Sequence, residues 1–151
     1  MSDREMVKRA IELSKESIAI GGYPVGSVVV QDGKIVSTGL SDGKQLCDPT
    51  GHAEISAIRA AGKKLKKRNL DDVVLYSSLE PCVMCLMSSH WAYIPKIIFA
   101  CSRDKVSSGY YEGDHNIFDL NKKNRREIEL VHFKDLENEA LKVITQWEKP
   151  Q

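Results

Sequence analysis

The sequence lacks long apolar runs, a marked excess of charge of either sign, and a large number of cysteines. No stretch approaches the roughly 20 apolar residues of a membrane-spanning helix. Residues 1–10 are charged and do not resemble a secretory signal, so we expect a cytoplasmic protein with no membrane partner. Lys and Arg number 22 against 21 Asp and Glu, so no global field favours nucleic acid. Four cysteines in 151 residues do not indicate a disulfide framework.

The rest of the composition is that of an ordinary globular protein, with 42% hydrophobic and 28% charged residues. A chain of 151 residues is long enough for one hydrophobic core, so we predict a single domain over residues 1–151. Residues 63–68 and 122–126 form two short basic runs. Neither run contains aromatic residues on which bases could stack, so we interpret both as solvated surface.

Apolar periodicity and turn residues predict alternating helices and strands. Asp32-Gly33 lies between two β-branched runs and is a strong hairpin signal. Helices are predicted over residues 3–20, 52–66, 82–92 and 136–147, and strands over 25–31, 34–38, 73–76, 96–100 and 127–131. Residues 102–126 are polar and weakly patterned. The alternation predicts an α/β sandwich with helices on both faces of the sheet, and the hairpin makes that sheet mixed.

Two short motifs thirty positions apart carry the chemistry: His52-Ala53-Glu54 and Pro81-Cys82-Val83-Met84-Cys85. One imidazole and two thiolates are three zinc ligands, one fewer than a closed structural site has. The remaining position is then open to water, whose pKa bound zinc lowers to roughly 7. Glu54 is close enough to His52 to move protons at that water without being a ligand. This pattern is typical of a hydrolytic site.

Both motifs are predicted to begin helices. Thr50 is the expected N-cap of the first helix, and Pro81 suits the start of the second. The positive potential of a helix N-terminus favours the thiolate forms of Cys82 and Cys85. Because residues three apart share one helix face, both sulfurs can reach the same ion.

A Cys-x-x-Cys pair also occurs in redox sites and in structural zinc sites, which are the two alternatives to a catalytic metal site. A redox pair needs a thioredoxin-like context, which the sequence does not have. A structural site needs a fourth ligand, for which the candidates are Cys47, Cys101, His90 and His115. Neither alternative accounts for Glu54. We interpret Cys101 as a small buried residue, and Cys47 as a loop residue that either packs or lines the pocket.

His-x-Glu followed by Pro-Cys-x-x-Cys is the signature of zinc-dependent nucleobase deaminases. The chain resembles the cytidine-deaminase-like superfamily, in the branch that holds bacterial guanine deaminase, fungal cytosine deaminase and the tRNA adenosine deaminases. The resemblance covers most of the chain and is carried by residues 24–30, 48–54 and 79–85. It implies a three-layer α-β-α sandwich around a mixed, mostly parallel five-stranded sheet. It also implies one Zn²⁺ per subunit and a homodimer or higher oligomer.

The resemblance assigns His52, Cys82 and Cys85 as metal ligands and Glu54 as the catalytic general base and general acid. Glu54 would take a proton from water and deliver protons to the ring nitrogen and the leaving amine. Branch members usually have Asn eleven positions before the zinc His. This chain has Ser41 there, followed by Asp42, so the contact with the substrate base differs.

Other candidate substrate contacts come from later segments. Guanine deaminases carry an acidic residue that binds the base, and Glu112 and Asp114 match its position. Both also fit a solvated surface loop. Trp91 is a candidate to pack against substrate, with a core position as the alternative. The last segment, with Trp147, resembles the helix that closes over the site in enzymes acting on free bases.

We therefore expect hydrolytic deamination of a free nucleobase or similar amino-heterocycle of guanine, cytosine or isocytosine type. The alternatives are adenosine-to-inosine deamination in tRNA and a non-catalytic zinc module. The net charge near zero, Ser41 in place of Asn, and the lack of a basic terminal helix all argue against tRNA.

Overall fold

The computed structural model describes residues 1–149, which form a five-stranded sheet between two layers of helices. The strands are β1 (Gly26–Gln31), β2 (Lys34–Leu40), β3 (Val73–Leu79), β4 (Lys96–Cys101) and β5 (Glu129–His132). The helices are α1 (Asp3–Ala19), α2 (Gly43–Leu46), α3 (Ala53–Leu65), α4 (Val83–Trp91), α5 (Ile117–Lys122) and α6 (Glu137–Glu148). Short 3₁₀ turns cover residues 103–105, 108–110 and 134–136.

The strand order is β2-β1-β3-β4-β5. β1 is antiparallel to both of its neighbours, whereas β3, β4 and β5 pair in parallel. Four of the five strands therefore run in one direction, which confirms the predicted mixed sheet. The hairpin between β1 and β2 turns at Asp32-Gly33, where both φ angles are positive, as a two-residue hairpin turn requires.

Two apolar cores lie on opposite faces of the sheet. α1 and α6 cover one face, where the apolar side of α1, including Met6, Ala10 and Leu13, is buried. α3 and α4 cover the other face together with residues of α5. The layer order α-β-α is therefore confirmed, and it brings the N-terminal ends of α3 and α4 to the same side of the molecule.

A glycine allows α3 to lie directly against the sheet. A Cβ at Gly39 of β2 would come within 2.0 Å of the carbonyl oxygen of Ala53 and 2.6 Å of the backbone nitrogen of Ala57. Any larger residue would push the first turn of α3 away from β2. The close contact at Gly39 thus fixes the distance between the sheet and the backbone of the motif His52-Ala53-Glu54.

The weakly patterned segment 102–126 contains structure that the sequence did not predict. It holds two 3₁₀ turns and the short helix α5, whose N-cap Asn116 accepts hydrogen bonds from the backbone of Phe118 and Asp119. The ends of the longer elements differ from the predicted bounds by a few residues, as helix ends and strand ends commonly do. Within residues 1–149, no helix is both long enough and apolar enough to cross a membrane.

Candidate active site

The two motifs occupy equivalent positions at the starts of α3 and α4. His52 is the N-cap of α3 and Cys82 is the N-cap of α4. Both have extended backbone conformations, and neither side chain caps its own helix. Thr50 is therefore not the N-cap, and that prediction is wrong. Its backbone N–H and hydroxyl instead donate to the carboxylate of Asp48, which closes a turn just before the helix.

The side chains of His52, Cys82 and Cys85 converge on one point. Nδ1 of His52 lies 3.5 Å from Sγ of Cys82 and 3.4 Å from Sγ of Cys85. Zinc bonds of about 2.3 Å to sulfur and about 2.0 Å to nitrogen, set at a tetrahedral angle, place the two donors roughly 3.5 Å apart. The imidazole nitrogen is thus at the separation from each sulfur that a shared Zn²⁺ requires, and all three donor atoms lie within 4.8 Å of one another.

The protonation states of this cluster are strongly shifted. A hydrogen bond from Cys85, together with a smaller contribution from His52, outweighs burial and lowers the pKa of the Cys82 thiol to about 4. The same bond raises the pKa of Cys85 well above its ordinary value, since Cys85 supplies the proton. The hydrogen bond to Cys82 also raises the pKa of His52. The cluster therefore stabilises a thiolate, which is the form of cysteine that binds a metal.

Within residues 1–149, this trio is the one group of His, Cys, Asp or Glu side chains with metal-binding separations. None of the proposed fourth ligands joins it. Cys101 is buried, as predicted, and Cys47 is exposed. His90 is buried against Asn121, with Nε2 3.0 Å from its Oδ1. Since a structural zinc site has four protein ligands, the described residues do not form one here.

Glu54 lies in the first turn of α3 and is only 4% exposed. Burial disfavours the charged carboxylate and raises the pKa of Glu54 to about 7. A carboxyl group with such a pKa both accepts and releases a proton at neutral pH. The side chain sits beside the metal-ligand trio and lines the same cavity.

That cavity, the reaction pocket, has a volume of about 230 Å³. Its lining combines carboxylates, aromatic rings and small side chains. The lining residues are Tyr23, Val25, Ser41, His52, Ala53, Glu54, Leu79, Glu80, Cys82, Gly109, Tyr110, Tyr111 and Glu112. None of these described residues is Lys or Arg. The pocket therefore offers hydrogen-bond acceptors and ring faces, without a cation for a phosphate.

The substrate contacts predicted from the sequence divide into two groups. Ser41 lines the reaction pocket and is 9% exposed, and Glu112 lines it as well. Asp42 does not line it, since its carboxylate accepts a hydrogen bond from Ser56 at 2.8 Å. Asp114 points into solvent and lies outside the lining, 3.6 Å from the guanidinium of Arg103. The structure thus favours Ser41 and Glu112 as contacts.

Trp91 neither lines the reaction pocket nor lies in the core, the two positions predicted for it from the sequence. It lies at the C-terminal end of α4, 72% exposed, so it is not a core residue. It borders a separate depression together with Tyr93 and the side chains of residues 124–126. A helix presents its first and last turns at opposite ends, so a residue of the last turn cannot reach the motif at the first. Trp91 is therefore not a wall of the reaction pocket.

Three aromatic residues from distant parts of the chain meet beside the reaction pocket, and of these Tyr23 was not indicated by the sequence. Tyr23 follows α1, Tyr110 belongs to a 3₁₀ turn, and Trp147 comes from α6. Their rings pack together, with centroids 5.6 Å apart for Tyr23 and Trp147 and 6.1 Å apart for Tyr23 and Tyr110. Trp147 therefore contacts a residue of the reaction pocket without lining the pocket itself, and the closing role that the resemblance implies for the last segment stays a prediction. Isolated aromatic residues far apart in sequence give no indication that they will meet.

A second cavity of about 540 Å³ adjoins the reaction pocket. Tyr23, Ser41 and His52 line both, so the two cavities share a wall. The second cavity also includes Lys44, Cys47 and Trp147. Cys47 thus borders this neighbouring space rather than the reaction pocket.

Comparisons with known proteins agree with this site. Residues 1–101 match the family model of the cytidine and deoxycytidylate deaminase zinc-binding region. The guanine deaminase of Bacillus subtilis is 42% identical over 113 residues, covering 73% of this chain and 72% of that protein. A tRNA-specific adenosine deaminase of Buchnera aphidicola subsp. Baizongia pistaciae is 36% identical over 148 residues, covering 98% and 89%. A solved guanine deaminase from Nitrosomonas europaea superposes with a TM-score of 0.86 at 24% identity, covering 97% and 84%, which shows a shared fold.

The fold and the His-Cys-Cys cluster define a deaminase-type metal protein. The chain belongs to the cytidine and deoxycytidylate deaminase zinc-binding family, as its motifs predict. The zinc-binding family model and the geometry of His52, Cys82 and Cys85 together support Zn²⁺ as the cofactor.

Proposed function

We propose that this chain is a zinc-dependent hydrolase that removes the exocyclic amino group of a free nucleobase or similar amino-heterocycle and releases ammonia. The substrate class is of guanine, cytosine or isocytosine type. The observation that carries the proposal is the buried carboxyl group of Glu54 beside the His-Cys-Cys cluster, at the base of a small pocket. A purely structural metal site gives no role to a carboxyl group in that position.

His52, Cys82 and Cys85 would hold the metal. Zinc bound there supplies a Lewis acid that makes a water molecule more acidic. Glu54 accepts a proton from this water, whose oxygen forms a bond to the ring carbon that bears the amine. Glu54 then donates this proton to the ring nitrogen. It next accepts the proton of the new C–OH group and donates it to the amine nitrogen, so that the C–N bond breaks. Water is consumed, ammonia leaves, and the ring carbon becomes a carbonyl.

The size and lining of the pocket favour a small substrate. Its volume of about 230 Å³ lies below the roughly 300–1,000 Å³ of sites for drug-sized ligands. Glu112 can accept hydrogen bonds from ring N–H or amino groups, and Ser41 can donate or accept one. The aromatic rings of Tyr23 and Tyr110 offer faces for the ring. These groups suit a planar, nitrogen-rich heterocycle without phosphate.

The second candidate is deamination of adenosine in tRNA. Two observations favour it: the relatives include tRNA-specific adenosine deaminases, and the cavity next to the reaction pocket has room for groups attached to the ring. The basic run at residues 63–68 gives little support. It begins at the C-terminal end of α3, a 13-residue helix and therefore about 20 Å from the motif at its start.

The test is ammonia release from a panel of free bases, nucleosides, pterins and an unmodified tRNA, with Glu54→Gln as the blank. The proposal requires turnover of at least one free heterocycle that the blank does not catalyse. Turnover of tRNA alone, with an affinity that falls steeply as salt rises, would select the second candidate. Loss of zinc from Glu54→Gln would instead give Glu54 a structural role.

Three further expectations stay predictions. These are the single zinc-dependent deaminase domain over residues 1–151, the homodimer, and the cytoplasmic location. The homodimer is tested by sedimentation equilibrium of the zinc-loaded protein across a hundredfold range of concentration. A constant monomer mass would contradict it.

A further inference from the structure

Arg103 makes an unusual set of contacts at the edge of the reaction pocket. It follows β4 and begins the first 3₁₀ turn, and its side chain is only 19% exposed. Its Nη1 donates to the carbonyl of His115 at 2.8 Å, and its Nη2 donates to the carbonyl of Gly113 at 2.7 Å. One guanidinium therefore closes a loop of ten to twelve residues. We call residues 107–115 the pocket-wall segment.

The same guanidinium packs on the pocket wall itself. Its central carbon lies 4.5 Å from the ring centroid of Tyr111, a residue that lines the reaction pocket. The hydroxyl of Tyr111 donates to the backbone carbonyl of Glu80 at 2.8 Å. Two contacts therefore fix the ring of Tyr111: Arg103 stacks on its face, and the carbonyl of Glu80 binds its hydroxyl. Glu112, the next residue, is thereby held at the pocket.

A backbone hydrogen bond of Arg103 connects it to the segment that carries the metal ligand Cys82. Its N–H donates to the carboxylate of Glu80 at 3.2 Å, and Glu80 is separated from Cys82 by Pro81 alone. This bond uses the backbone, so it survives replacement of the Arg103 side chain. The contacts of the side chain all lie on the pocket-wall segment. The two functions of this residue can therefore be separated by mutation.

The relative strength of the contacts identifies the important ones. The ion pair with Asp114 spans 3.6 Å to a fully exposed carboxylate, and such surface pairs contribute little. The two bonds to carbonyls are short and come from a cation whose side chain is largely covered, so they are the stronger interactions. They also need the planar fork of arginine, because a lysine ammonium cannot reach both carbonyls in the same geometry.

We propose that Arg103 is a positioning residue that sets substrate affinity by holding Tyr111 and Glu112 against the reaction pocket. This inference rests on the proposed function, since it concerns how the same pocket binds its substrate. Arg103 does not line the pocket among the described residues, so it acts through its neighbours. Its loss leaves Glu54 and the metal ligands in place.

The experiment compares Arg103→Met and Arg103→Lys with the wild-type enzyme on its best heterocycle. A lost pair of charge-assisted hydrogen bonds predicts a KM raised about tenfold or more, with kcat within about twofold and zinc content unchanged. Arg103→Lys keeps the charge and loses the fork, so it should resemble Arg103→Met. A normal KM in Arg103→Lys would show that charge alone suffices and would overturn the proposal.

Arg126→Met is a matched control. Arg126 also stacks on a tyrosine, Tyr93 at 3.9 Å, and donates to one carbonyl, that of His90 at 2.9 Å. It borders the depression around Trp91, away from the reaction pocket. Its replacement should leave KM and kcat unchanged. An equal rise of KM in Arg126→Met would show that any lost arginine has this effect, which would overturn the proposal.

A second measurement works without a known substrate. Amide hydrogen exchange over residues 107–115 should be faster in Arg103→Met than in the wild type, while Arg126→Met leaves it unchanged. If the wild type deaminates nothing in the panel, the proposed function fails, and the exchange data still decide whether Arg103 orders this segment. Unchanged exchange, or a fall in kcat and zinc content at constant KM, would overturn the positioning role.

Discussion

The metal-ligand trio and the pocket-wall segment both contribute residues to the reaction pocket and are built in different ways. The trio projects from the first turns of two helices that pack on the sheet, and Gly39 fixes the height of one of them. The pocket-wall segment contains a single 3₁₀ turn and is mostly exposed. It is fixed by one arginine side chain and one tyrosine hydroxyl.

This difference has a consequence for the reaction. Reaction type depends on groups held by regular structure, where a shift requires moving a helix on its core. Under the proposed function, substrate choice depends on groups held by a few hydrogen bonds, which individual substitutions can add or remove. Members of one family can therefore share the metal chemistry and differ in substrate, since the wall can change without loss of the fold.

The largest effect is expected at Glu54. Glu54→Gln keeps the shape of the side chain and removes the proton acceptor, so kcat should fall by about 10²–10⁴-fold or more. Zinc content and the thermal unfolding midpoint should stay at wild-type values, as measured by elemental analysis and calorimetry. Wild-type activity in this variant would show that Glu54 does not catalyse the reaction. The metal-ligand trio and its neighbour Glu54 could then no longer be regarded as the part of the pocket that sets the reaction type.

Loss of a metal ligand should have the next largest effect. Cys82→Ser removes a thiolate from a three-residue set, so zinc measured after dialysis should fall well below one ion per chain, and activity should fall with it. Cys47→Ser is the matched control, because Cys47 is an exposed thiol outside the trio. It should keep both zinc and activity. Equal zinc loss in the two variants would contradict the assigned ligand set.

A smaller effect is expected from the two acids of the pocket-wall segment. Glu112→Gln should raise KM about tenfold, since a hydrogen bond to a charged group is worth roughly 1.5–3 kcal/mol. Asp114→Asn should change KM less than about twofold, because that carboxylate is fully exposed and its contact is screened. Steady-state kinetics on one substrate distinguishes the two. The reverse order would mean that the wall closes differently when substrate binds.

The smallest effect concerns pH and the scaffold behind the trio. Burial lowers the pKa of His90, at the far end of α4. As pH falls below about 6.5, the unfolded chain therefore binds a proton before the folded one does, and the free energy of unfolding decreases. His90→Gln keeps a donor for Asn121 and should show a weaker decrease from pH 7 to pH 5 in urea unfolding.

Exposed His115 supplies the control for this measurement. His115→Gln should follow the wild-type curve over the same pH range. A His90→Gln curve parallel to that of the wild type would show that His90 does not contribute to the pH dependence.

Most of the sheet and the longer helices could be predicted because their patterns are local. β-branched runs, Asp32-Gly33 and the apolar face of α1 each act over a few residues. The segment 102–126 could not be predicted, since its turns depend on bonds such as that of Asn121 to the backbone of Ile128. Neither of the two positions predicted for Trp91 matches its place at the exposed end of α4, because residue type alone does not tell which way a side chain faces.

The sequence by itself determined the chemistry of the motif, because ligand type and spacing along a helix decide which groups can share an ion. It also determined the family, through His52, Glu54, Cys82 and Cys85. Only the tertiary structure decided which candidates reach the pocket, retaining Ser41 and Glu112 and leaving Asp42, Trp91 and Asp114 outside it. Only the tertiary structure revealed the contacts of Arg103. Its side chain binds backbone carbonyls, which every residue has, so the sequence does not indicate which residues are its partners.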